Sequence, residues 1–444
     1  MKMTNEKPDL SWIAHYRTEQ PNFGLERMNT LLALCGNPHK KISIIHIAGT
    51  NGKGSTIATL RELLRVRGLR VGTFTSPYIT SYNEQIAIDG QAISTQDLNH
   101  LLQVYQDLFF QQSQNDSLQG VTEFEIMTAL AYDYFAHQAV DVAIIEVGMG
   151  GLLDSTNVCH PDITAITTVG LDHVALLGST LGEIAEQKAG IIKPNVPVVT
   201  GKIEAEALEV ICRIAEDKNA PLYLYGSAYQ VDWKKSETMG EDFSLQTEQR
   251  PLHIYQTPLL GYYQVENAAL AITICDLYCK QKGLTLLSKE EIDDALKVIV
   301  WPARMEKIAG TPLIFLDGAH NPHALRPVLH SFRERFSSYD KQVLFTCIRT
   351  KALDEMLQLF AQADVSVTLT SFDDDRAVSE SDMRRQARQT GFSYQAWQEY
   401  LDTYLQEQHT DKEVLLITGS LYFLAQVRAY ISKKKEEMNG SATD

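Results

Sequence analysis

Residues Ile42–Thr56 read ISIIHIAGTNGKGST, and this stretch decides the fold of the first part of the chain. An apolar, β-branched run leads into a loop with three glycines and Lys53, and a helical segment follows. Glycines let the backbone approach an anion, while a helix N-terminus and a lysine add positive charge. The commonest phosphate-binding loop has a glycine at the position of Ile47 and no glycine at the position of Gly54. A flexible turn is the alternative interpretation, but the order of the elements favours a phosphate site.

The composition is that of a soluble globular protein, with 44% hydrophobic and 22% charged residues among 444. This length predicts two or three domains. The net charge of −16 argues against a nucleic-acid partner, since no basic face dominates the chain. The six cysteines form no CxxC pair and indicate small buried side chains in a reducing compartment. Without an apolar leader or a membrane-length run, we expect a cytoplasmic protein with no membrane partner.

Apolar strands alternate with helical segments along the chain, which predicts an α/β fold with parallel sheets. Residues 1–297 are expected to form a P-loop domain with a doubly wound, mostly parallel sheet. Within this domain, short apolar stretches in residues 221–260 predict a small antiparallel β region that begins with Leu222–Tyr225. Residues 1–40 are predicted to be helical. Residues 298–444 are expected to form a C-terminal Rossmann-like α/β domain of ordinary size.

Polar side chains follow several strands of the first predicted sheet. Parallel strands place their carboxyl ends at one edge, where such folds bind ligands. The candidate Mg²⁺ ligands at this edge are Ser76, Glu146 and His173. Nucleotide-bound Mg²⁺ is usually coordinated by hydroxyls or carboxylates together with phosphate oxygens. Glu146 is the strongest, because a carboxylate that closes a buried strand is costly without a cation or partner. His173 is equally well a core histidine, and Ser76 alone is an ordinary turn residue.

Five further candidates are weaker when taken from the residues alone. Lys188 lies near the end of its helix, where a lysine complements the helix dipole. Asn267 is interpreted as a helix N-cap. Asp317 and His320 follow an apolar strand within Asp-Gly-Ala-His-Asn-Pro, which indicates a site at that strand end. Arg304 is either a nucleotide-phosphate ligand or a surface arginine.

Several stretches of the chain match one known family. They are HIAGTNGKGST (His46–Thr56), TSPYITSYNEQIAIDG (Thr75–Gly90), TEFEIMTALAYDYF (Thr122–Phe135), VAIIEVGMGGLLDSTNV (Val142–Val158), LDHVALLGSTLGEIAEQKAGIIKP (Leu171–Pro194), WPARMEKI (Trp301–Ile308), LDGAHNP (Leu316–Pro322) and ITGSLYF (Ile417–Phe423). On these motifs the chain resembles folylpolyglutamate synthases, the folate branch of the Mur ligase superfamily, over nearly its whole length. The GTNGKGS loop and the DGAHNP motif together are specific to that branch.

The resemblance implies an ATP-dependent amide ligase. Such enzymes join the γ-carboxylate of a reduced folate, or of its glutamate tail, to the amine of L-glutamate through an acyl phosphate. Because phosphorylation supplies the leaving group, the protein's work is positioning and charge neutralisation. A bifunctional enzyme that also adds the first glutamate to dihydropteroate is the close alternative. Two more distant candidates are a cell-wall Mur-type amino-acid ligase and a non-ligating P-loop nucleotide-binding protein.

The resemblance also implies roles for individual residues. The catalytic set is Lys53, Lys188, His173 and His320. The nucleotide site consists of Gly49, Thr50, Asn51, Gly52, Lys53, Gly54, Ser55, Thr56, Asn267, Arg304, Asp317 and His320. The magnesium ligands are Ser76, Glu146 and His173, and Lys188 holds a second Mg²⁺ if CO₂ carbamylates its amine. A monovalent cation is a further candidate cofactor, and Phe124 with Thr75–Gly90 falls where the family holds the pterin.

Two stretches depart from the family pattern. Family members often carry a glycine followed by an acidic Lys-Asp pattern where this chain has Cys347–Leu353, so contacts from this loop are left open. Asp373–Ala377 is acidic where a surface for glutamate is expected. The sequence therefore leaves open the position of the incoming glutamate, the preferred folate and the length of the polyglutamate product. A monomer is the expected oligomeric state.

Overall fold

The computed structural model describes residues 7–18, 22–234, 236, 238–310, 312–407 and 409–440, the side chains of 435–440 excepted. Within these residues the chain forms two compact units. The N-terminal unit consists of the described residues within Met1–Lys235, Asp242–Pro258 and Val265–Ile299, and the C-terminal unit consists of those within Ser236–Glu241, Leu259–Gln264 and Val300–Asp444.

An eight-stranded sheet organises the described part of the N-terminal unit, in the order β4-β3-β2-β5-β1-β6-β7-β8. Its strands are β1 Ile44–Ala48, β2 Val71–Phe74, β3 Ile86–Ile88, β4 Gln91–Ala92, β5 Val142–Glu146, β6 Ile163–Ile166, β7 Val198–Thr200 and β8 Leu222–Tyr223. The six strands from β2 to β8 in this order run parallel, and β3 and β4 pair antiparallel. Ile47 of β1 lies opposite Glu146 of β5, so the two strands end at the same edge. The prediction of a doubly wound, mostly parallel sheet is confirmed.

Helices cover both faces of this sheet. They are α1 Glu26–Leu34, α2 Lys53–Val66, α3 Thr95–Gln111, α4 Glu123–His137, α5 Val174–Leu177, α6 Leu181–Ala189, α7 Ala205–Asp217, α8 Tyr262–Gln281 and α9 Lys289–Lys297. One buried cluster joins Phe74 to Phe135 of α4, and another joins Ile166 to Ile184 of α6 and Ile211 of α7. The sheet thus forms two hydrophobic cores with different helices. A doubly wound sheet requires this, because both faces of a parallel sheet must be buried.

A separate three-stranded sheet has the order β11-β10-β9, with β9 Tyr229–Lys234, β10 Glu241–Thr247 and β11 Arg250–Thr257. The predicted antiparallel region is therefore present, but the assignment of Leu222–Tyr225 to it is wrong. Leu222 pairs in parallel with Val198 of the large sheet. The cause is helix α7, which connects β7 to β8 as a crossover and so makes the two strands parallel.

The described part of the C-terminal unit has a six-stranded sheet in the order β12-β13-β17-β14-β15-β16. Its strands are β12 Glu306–Gly310, β13 Leu313–Asp317, β14 Asp340–Phe345, β15 Ser366–Leu369, β16 Ser393–Tyr394 and β17 Glu413–Thr418. Its helices are α10 Pro322–Arg335, α11 Leu353–Ala361, α12 Glu380–Thr390, α13 Trp397–Gln406 and α14 Leu421–Gly440. Among the described strands of this six-stranded sheet, only β12 runs antiparallel to its neighbour. The prediction of a Rossmann-like α/β domain is therefore confirmed.

The N-terminal forty residues are less helical than predicted. The described part has two 3₁₀ turns, Ile13–Tyr16 and Pro38–Lys40, around the helix Glu26–Leu34, while residues 1–6 and 19–21 lie outside the described residues. Gly24 and Gly36 adopt positive φ angles of 133° and 75°, which interrupts helical geometry. None of the helices in the described chain combines the length and the hydropathy that a membrane crossing requires.

Candidate active site

The phosphate loop connects β1 to the first turn of α2. Gly49 and Gly52 adopt φ angles of 154° and 88°, values that favour glycine. A Cβ on Gly49 would overlap the hydroxyl of Thr167, and one on Gly52 would overlap the amide oxygen of Asn267. Lys53 folds back so that its Nζ donates to the carbonyl of Gly49 at 3.0 Å. The glycines are therefore required by neighbouring side chains as well as by the turn.

Asn267 is not a helix N-cap, and that prediction is wrong. Helix α8 begins at Tyr262, so Asn267 lies inside it, and its buried side chain faces Gly52. The cap prediction rests on a local preference, whereas the position of Asn267 against the phosphate loop is fixed by the packing of α8. The structure thus brings Asn267 to the predicted nucleotide loop by a different route.

The first turn of α2 presents two buried hydroxyl residues, Ser55 and Thr56. The intrahelical bonds begin with the N–H of Thr56, which donates to the carbonyl of Gly52 at 2.9 Å. The preceding N–H groups stand at the helix N-terminus, where the helix dipole favours an anion. Within the described chain, the Thr56 Oγ1 is buried without a hydrogen-bond partner. The turn therefore combines backbone donors and hydroxyls at the end of β1.

Glu146 ends β5 next to the phosphate loop and is only 5% exposed. Its Oε1 lies 3.7 Å from the Nζ of Lys53, and its Oε2 accepts a hydrogen bond from the backbone N–H of Ser76 at 3.3 Å. The structure therefore brings Lys53, Ser76 and Glu146 together, as the sequence predicted from strand ends. Carboxylate and hydroxyl oxygens of this kind fit Mg²⁺, which completes its shell with waters and phosphate oxygens.

His173 follows β6 in a left-handed conformation with φ of 51°. Its backbone N–H donates to Oδ1 of Asp172 at 2.9 Å, and its ring Nε2 lies 3.9 Å from Oδ2 of the same residue. The side chain is 38% exposed, so the alternative of a core histidine is wrong. Across the described residues, no three histidine, cysteine, aspartate or glutamate side chains converge as a metal-binding group.

Lys188 lies on α6 and is only 4% exposed. Burial and the positive charge of Lys53 lower the pKa of its amine to about 7, against the opposing effect of Asp172 and Asp154. Within the described chain its Nζ makes neither a hydrogen bond nor an ion pair. Because its pKa is lowered, this buried amine is neutral, and therefore nucleophilic, more often than the amine of an ordinary surface lysine. Lys188 stands in the last turn of α6, so its predicted position near a helix end is confirmed, and the role that the resemblance implies for it stays a prediction.

A buried network beside β1 was missed in the sequence. The Nε2 of His46 lies 2.8 Å from Oγ1 of Thr156, which donates to Oδ1 of Asp154 at 2.5 Å. The other Asp154 oxygen accepts the backbone N–H of Met149 at 2.8 Å. Burial lowers the pKa of His46 to about 3, so the ring is neutral. One sequence signal could have indicated this network: a histidine inside an apolar strand is buried, and a buried histidine requires a polar partner.

Aromatic rings line the segments that the resemblance associates with the pterin. The ring of Phe124, at the start of α4, lies 5.8 Å from that of Phe74, and a Cβ on Gly148 would overlap it. Tyr78 and Tyr82 stand edge to face at 5.4 Å. Phe74 and Tyr82 are buried, whereas Phe124 and Tyr78 are half-buried, and the assignment of these segments to the pterin stays a prediction.

The C-terminal unit has its own cluster at the carboxyl end of β13. Asp317 is 2% exposed, and its two oxygens each accept a backbone hydrogen bond of 2.8 Å, from Met305 and from Ala319. Burial raises the pKa of this carboxyl, and the charge of Arg304 and these hydrogen bonds oppose the rise. The carboxylate therefore fixes the loop on either side of β13.

Arg304 and His320 lie beside Asp317 in this cluster. The Nη1 of Arg304 donates to the carbonyl of Ala303 at 2.8 Å, and the Nδ1 of His320 lies 2.8 Å from the carbonyl of Gly318. A Cβ on Gly318 would overlap the Arg304 guanidinium, so the two residues are in close contact. The structure thus brings together the three residues that the sequence predicted in this region.

Two family models match the chain. Residues 47–275 match the Mur ligase middle domain, and residues 303–421 match the Mur ligase glutamate ligase domain. The dihydrofolate synthase/folylpolyglutamate synthase of Bacillus subtilis is 38% identical over 409 residues, which cover 91% of this chain and 94% of that protein. The folylpolyglutamate synthase of Lacticaseibacillus casei is 36% identical over 403 residues, covering 90% and 93%.

Solved structures agree with these relatives. A folylpolyglutamate synthase complex with AMPPCP and folate has a TM-score of 0.82 and 33% identity, covering 94% of this chain and 97% of that one. The Mycobacterium tuberculosis enzyme complexed with ADP and AMPPCP has a TM-score of 0.84 and 27% identity, covering 95% and 97%. The chain therefore belongs to the Mur ligase family. More particularly, it belongs among the folylpolyglutamate and dihydrofolate synthases, and it is an ATP-dependent ligase.

Proposed function

We propose that this ligase adds L-glutamate to the γ-carboxylate of reduced folates through an acyl-phosphate intermediate. The observation that carries the proposal is the phosphate loop with Lys53 and Glu146 at the sheet edge, in a chain whose relatives are named for folate ligation. Amide formation from a carboxylate needs a leaving group, which phosphate supplies. The protein's contribution is then to position the reactants and to neutralise charge on the phosphates.

In this proposal the nucleotide phosphates lie over the N-terminus of α2. The N–H groups from Gly52 to Ser55, which precede the first intrahelical hydrogen bond, and the Lys53 ammonium face them. The wider nucleotide set is the one implied by the resemblance, Gly49 to Thr56, Asn267, Arg304, Asp317 and His320. Support for the loop comes from its two positive-φ glycines and from the helix dipole.

Mg²⁺ would be held by Ser76 and Glu146, with His173 as a further ligand. Support comes from the oxygen donors that these two side chains carry, and from the 3.3 Å hydrogen bond by which the Ser76 backbone N–H holds the Glu146 carboxylate next to Ser76. When bound, Mg²⁺ neutralises negative charge on the phosphoryl oxygens. Glu146 also orients Lys53, because their charged groups lie 3.7 Å apart, and this pairing keeps the ammonium at the loop.

Lys188 is proposed to be carbamylated and to hold a second Mg²⁺. Carbamylation requires a neutral amine, and a pKa of about 7 makes that form abundant near neutral pH. The carbamate would replace a poorly solvated cation by an anion beside the cation Lys53. A monovalent cation is a further proposed cofactor, on the resemblance alone.

The remaining assignments are also proposals. Residues 1–297 act as the ATP-binding domain, and residues 298–444 as the glutamate-ligase domain, in keeping with the glutamate ligase domain model at 303–421. The protein is proposed to act as a cytoplasmic monomer. The bifunctional alternative is favoured by the Bacillus subtilis relative, whose name includes dihydrofolate synthase.

An acceptor assay tests the proposed function. Purified protein is given ATP, Mg²⁺ and L-glutamate with either tetrahydrofolate or dihydropteroate, and ADP and the product mass are measured. Glutamylated tetrahydrofolate supports the proposal, and product from both acceptors supports the bifunctional form. ADP release with a UDP-linked muropeptide alone would support a cell-wall ligase, and ATP hydrolysis independent of any acceptor would support a non-ligating protein. Either result would reject folate ligation.

A further inference from the structure

Two threonines at the end of β6 hold the phosphate loop. The hydroxyl of Thr168 accepts the backbone N–H of Asn51 at 3.0 Å and lies 3.1 Å from the carbonyl of the same residue. The hydroxyl of Thr167 donates to that carbonyl at 2.6 Å. The backbone N–H of Thr50 donates to the carbonyl of Thr168 at 2.8 Å. We call Thr167 and Thr168 the threonine pair.

Close packing fixes Thr167 of the threonine pair in place. Thr167 is 2% exposed and is flanked by two glycines, Gly49 and Gly201. A Cβ on Gly49 would overlap the Thr167 hydroxyl, and a Cβ on Gly201 would overlap the Thr167 carbonyl oxygen. The ends of β1, β6 and β7 therefore meet at Thr167 without space for a further methyl group.

The same segment leads to the Asp172–His173 turn. The hydroxyl of Thr50 donates to the carbonyl of Gly170 at 3.1 Å and accepts the N–H of Gly170 at 3.0 Å. Residues 167–170 thus contact both Thr50 and Asn51 and continue directly into the turn that carries His173. A displacement of the loop would have to move this segment or break these hydrogen bonds.

We propose that the threonine pair is a positioning element that holds the phosphate loop in its nucleotide-binding shape before ATP arrives. The reason is entropic: a glycine-rich loop that is already ordered loses less conformational freedom when the ligand binds. Neither threonine is assigned to the nucleotide contacts proposed above. The inference rests on the proposed function only in that the loop binds nucleotide.

Thr168→Val tests the proposal, because it removes the hydroxyl and keeps the volume and the β-branch. The matched control is Thr164→Val inside β6, four residues before Thr168, where the buried hydroxyl donates to the carbonyl of Pro197 at 3.2 Å. Binding of the ATP analogue AMPPCP, amide exchange of Asn51 without nucleotide, and the melting temperature are measured for each protein. We expect Thr168→Val to bind the analogue roughly tenfold more weakly and to exchange the Asn51 amide faster, while Thr168→Ser restores both.

The results separate the positioning role from a structural one. Wild-type binding and exchange in Thr168→Val would overturn the proposal, and so would equal losses in Thr168→Val and Thr164→Val. If Thr168→Val does not fold, Thr168→Ala removes the same oxygen and is measured in its place. Failure of the wild-type protein to bind AMPPCP would reject the proposed function, while the Asn51 exchange, measured without nucleotide, still decides whether the pair orders the loop.

Discussion

Glu146 and Asp317 occupy equivalent places in two different sheets. Each is the last residue of a parallel strand, and each is buried, at 5% and 2% exposure. Their surroundings differ. Glu146 lies 3.7 Å from the side-chain cation Lys53 and accepts one longer backbone hydrogen bond of 3.3 Å, whereas Asp317 accepts two backbone hydrogen bonds of 2.8 Å.

This difference teaches that a buried carboxylate at a strand end has two separable uses. A carboxylate beside a side-chain ammonium orients a cation that a bound ligand can also contact. One whose oxygens accept short bonds from main-chain donors mainly determines the shape of its loop, because those donors would otherwise be buried without partners. We therefore expect substitutions at Glu146 to affect activity first, and substitutions at Asp317 to affect stability first.

The largest expected effect is the loss of activity in Glu146→Gln. The amide keeps the shape but removes the charge that orients Lys53 and is proposed to bind Mg²⁺. ADP release with tetrahydrofolate and glutamate should fall by roughly 10³-fold, while the free energy of unfolding changes by less than about 1 kcal/mol. The control is Glu186→Gln, an exposed glutamate on α6, which should retain activity. Retained turnover in Glu146→Gln would reject its role.

Asp317→Ala should destabilise the protein by about 3 kcal/mol, since the N–H groups of Met305 and Ala319 lose their acceptor. Asp317→Asn keeps one acceptor oxygen and should lose about half as much. Calorimetric unfolding measures both, with the exposed Asp411→Ala as the control. An Asp317→Ala protein as stable as the wild type, but inactive, would place Asp317 with Glu146 and remove the contrast between them.

The smallest effect concerns His46, which is neutral and buried behind the phosphate loop. Its folded pKa of about 3 is below the ordinary value of 6.5, so the unfolded chain binds more protons between these limits. The free energy of unfolding therefore decreases as pH falls through this range, and His46 contributes about 2 kcal/mol of that loss between pH 6.5 and 5. In His46→Gln, which cannot titrate, urea unfolding at several pH values should show a shallower decrease. An identical pH dependence in both proteins would refute the neutral, buried state of His46.

The alternation of strands and helices could be predicted from the sequence, because each element carries its own periodicity and caps. The capping boxes at Thr122 and Thr180 are examples of such local signals. The proximity of the candidate ligands Ser76 and Glu146 could also be predicted, since parallel strands place their carboxyl ends at the same edge of the sheet. Predictions from local signals were wrong where long-range contacts determine the structure. Leu222–Tyr225 was assigned to the antiparallel region, and Asn267 was interpreted as a helix N-cap although it lies inside α8.

The sequence by itself determined the α/β class, the phosphate loop and the strand-end residues, because these depend on short-range pattern and on glycine conformation. Only the tertiary structure decided the lowered pKa of Lys188, the His46–Thr156–Asp154 network and the hydrogen bonds of the threonine pair to the phosphate loop. Each of these joins residues far apart in the chain. Their burial and distances are set by how the strands and helices pack, which no local pattern encodes.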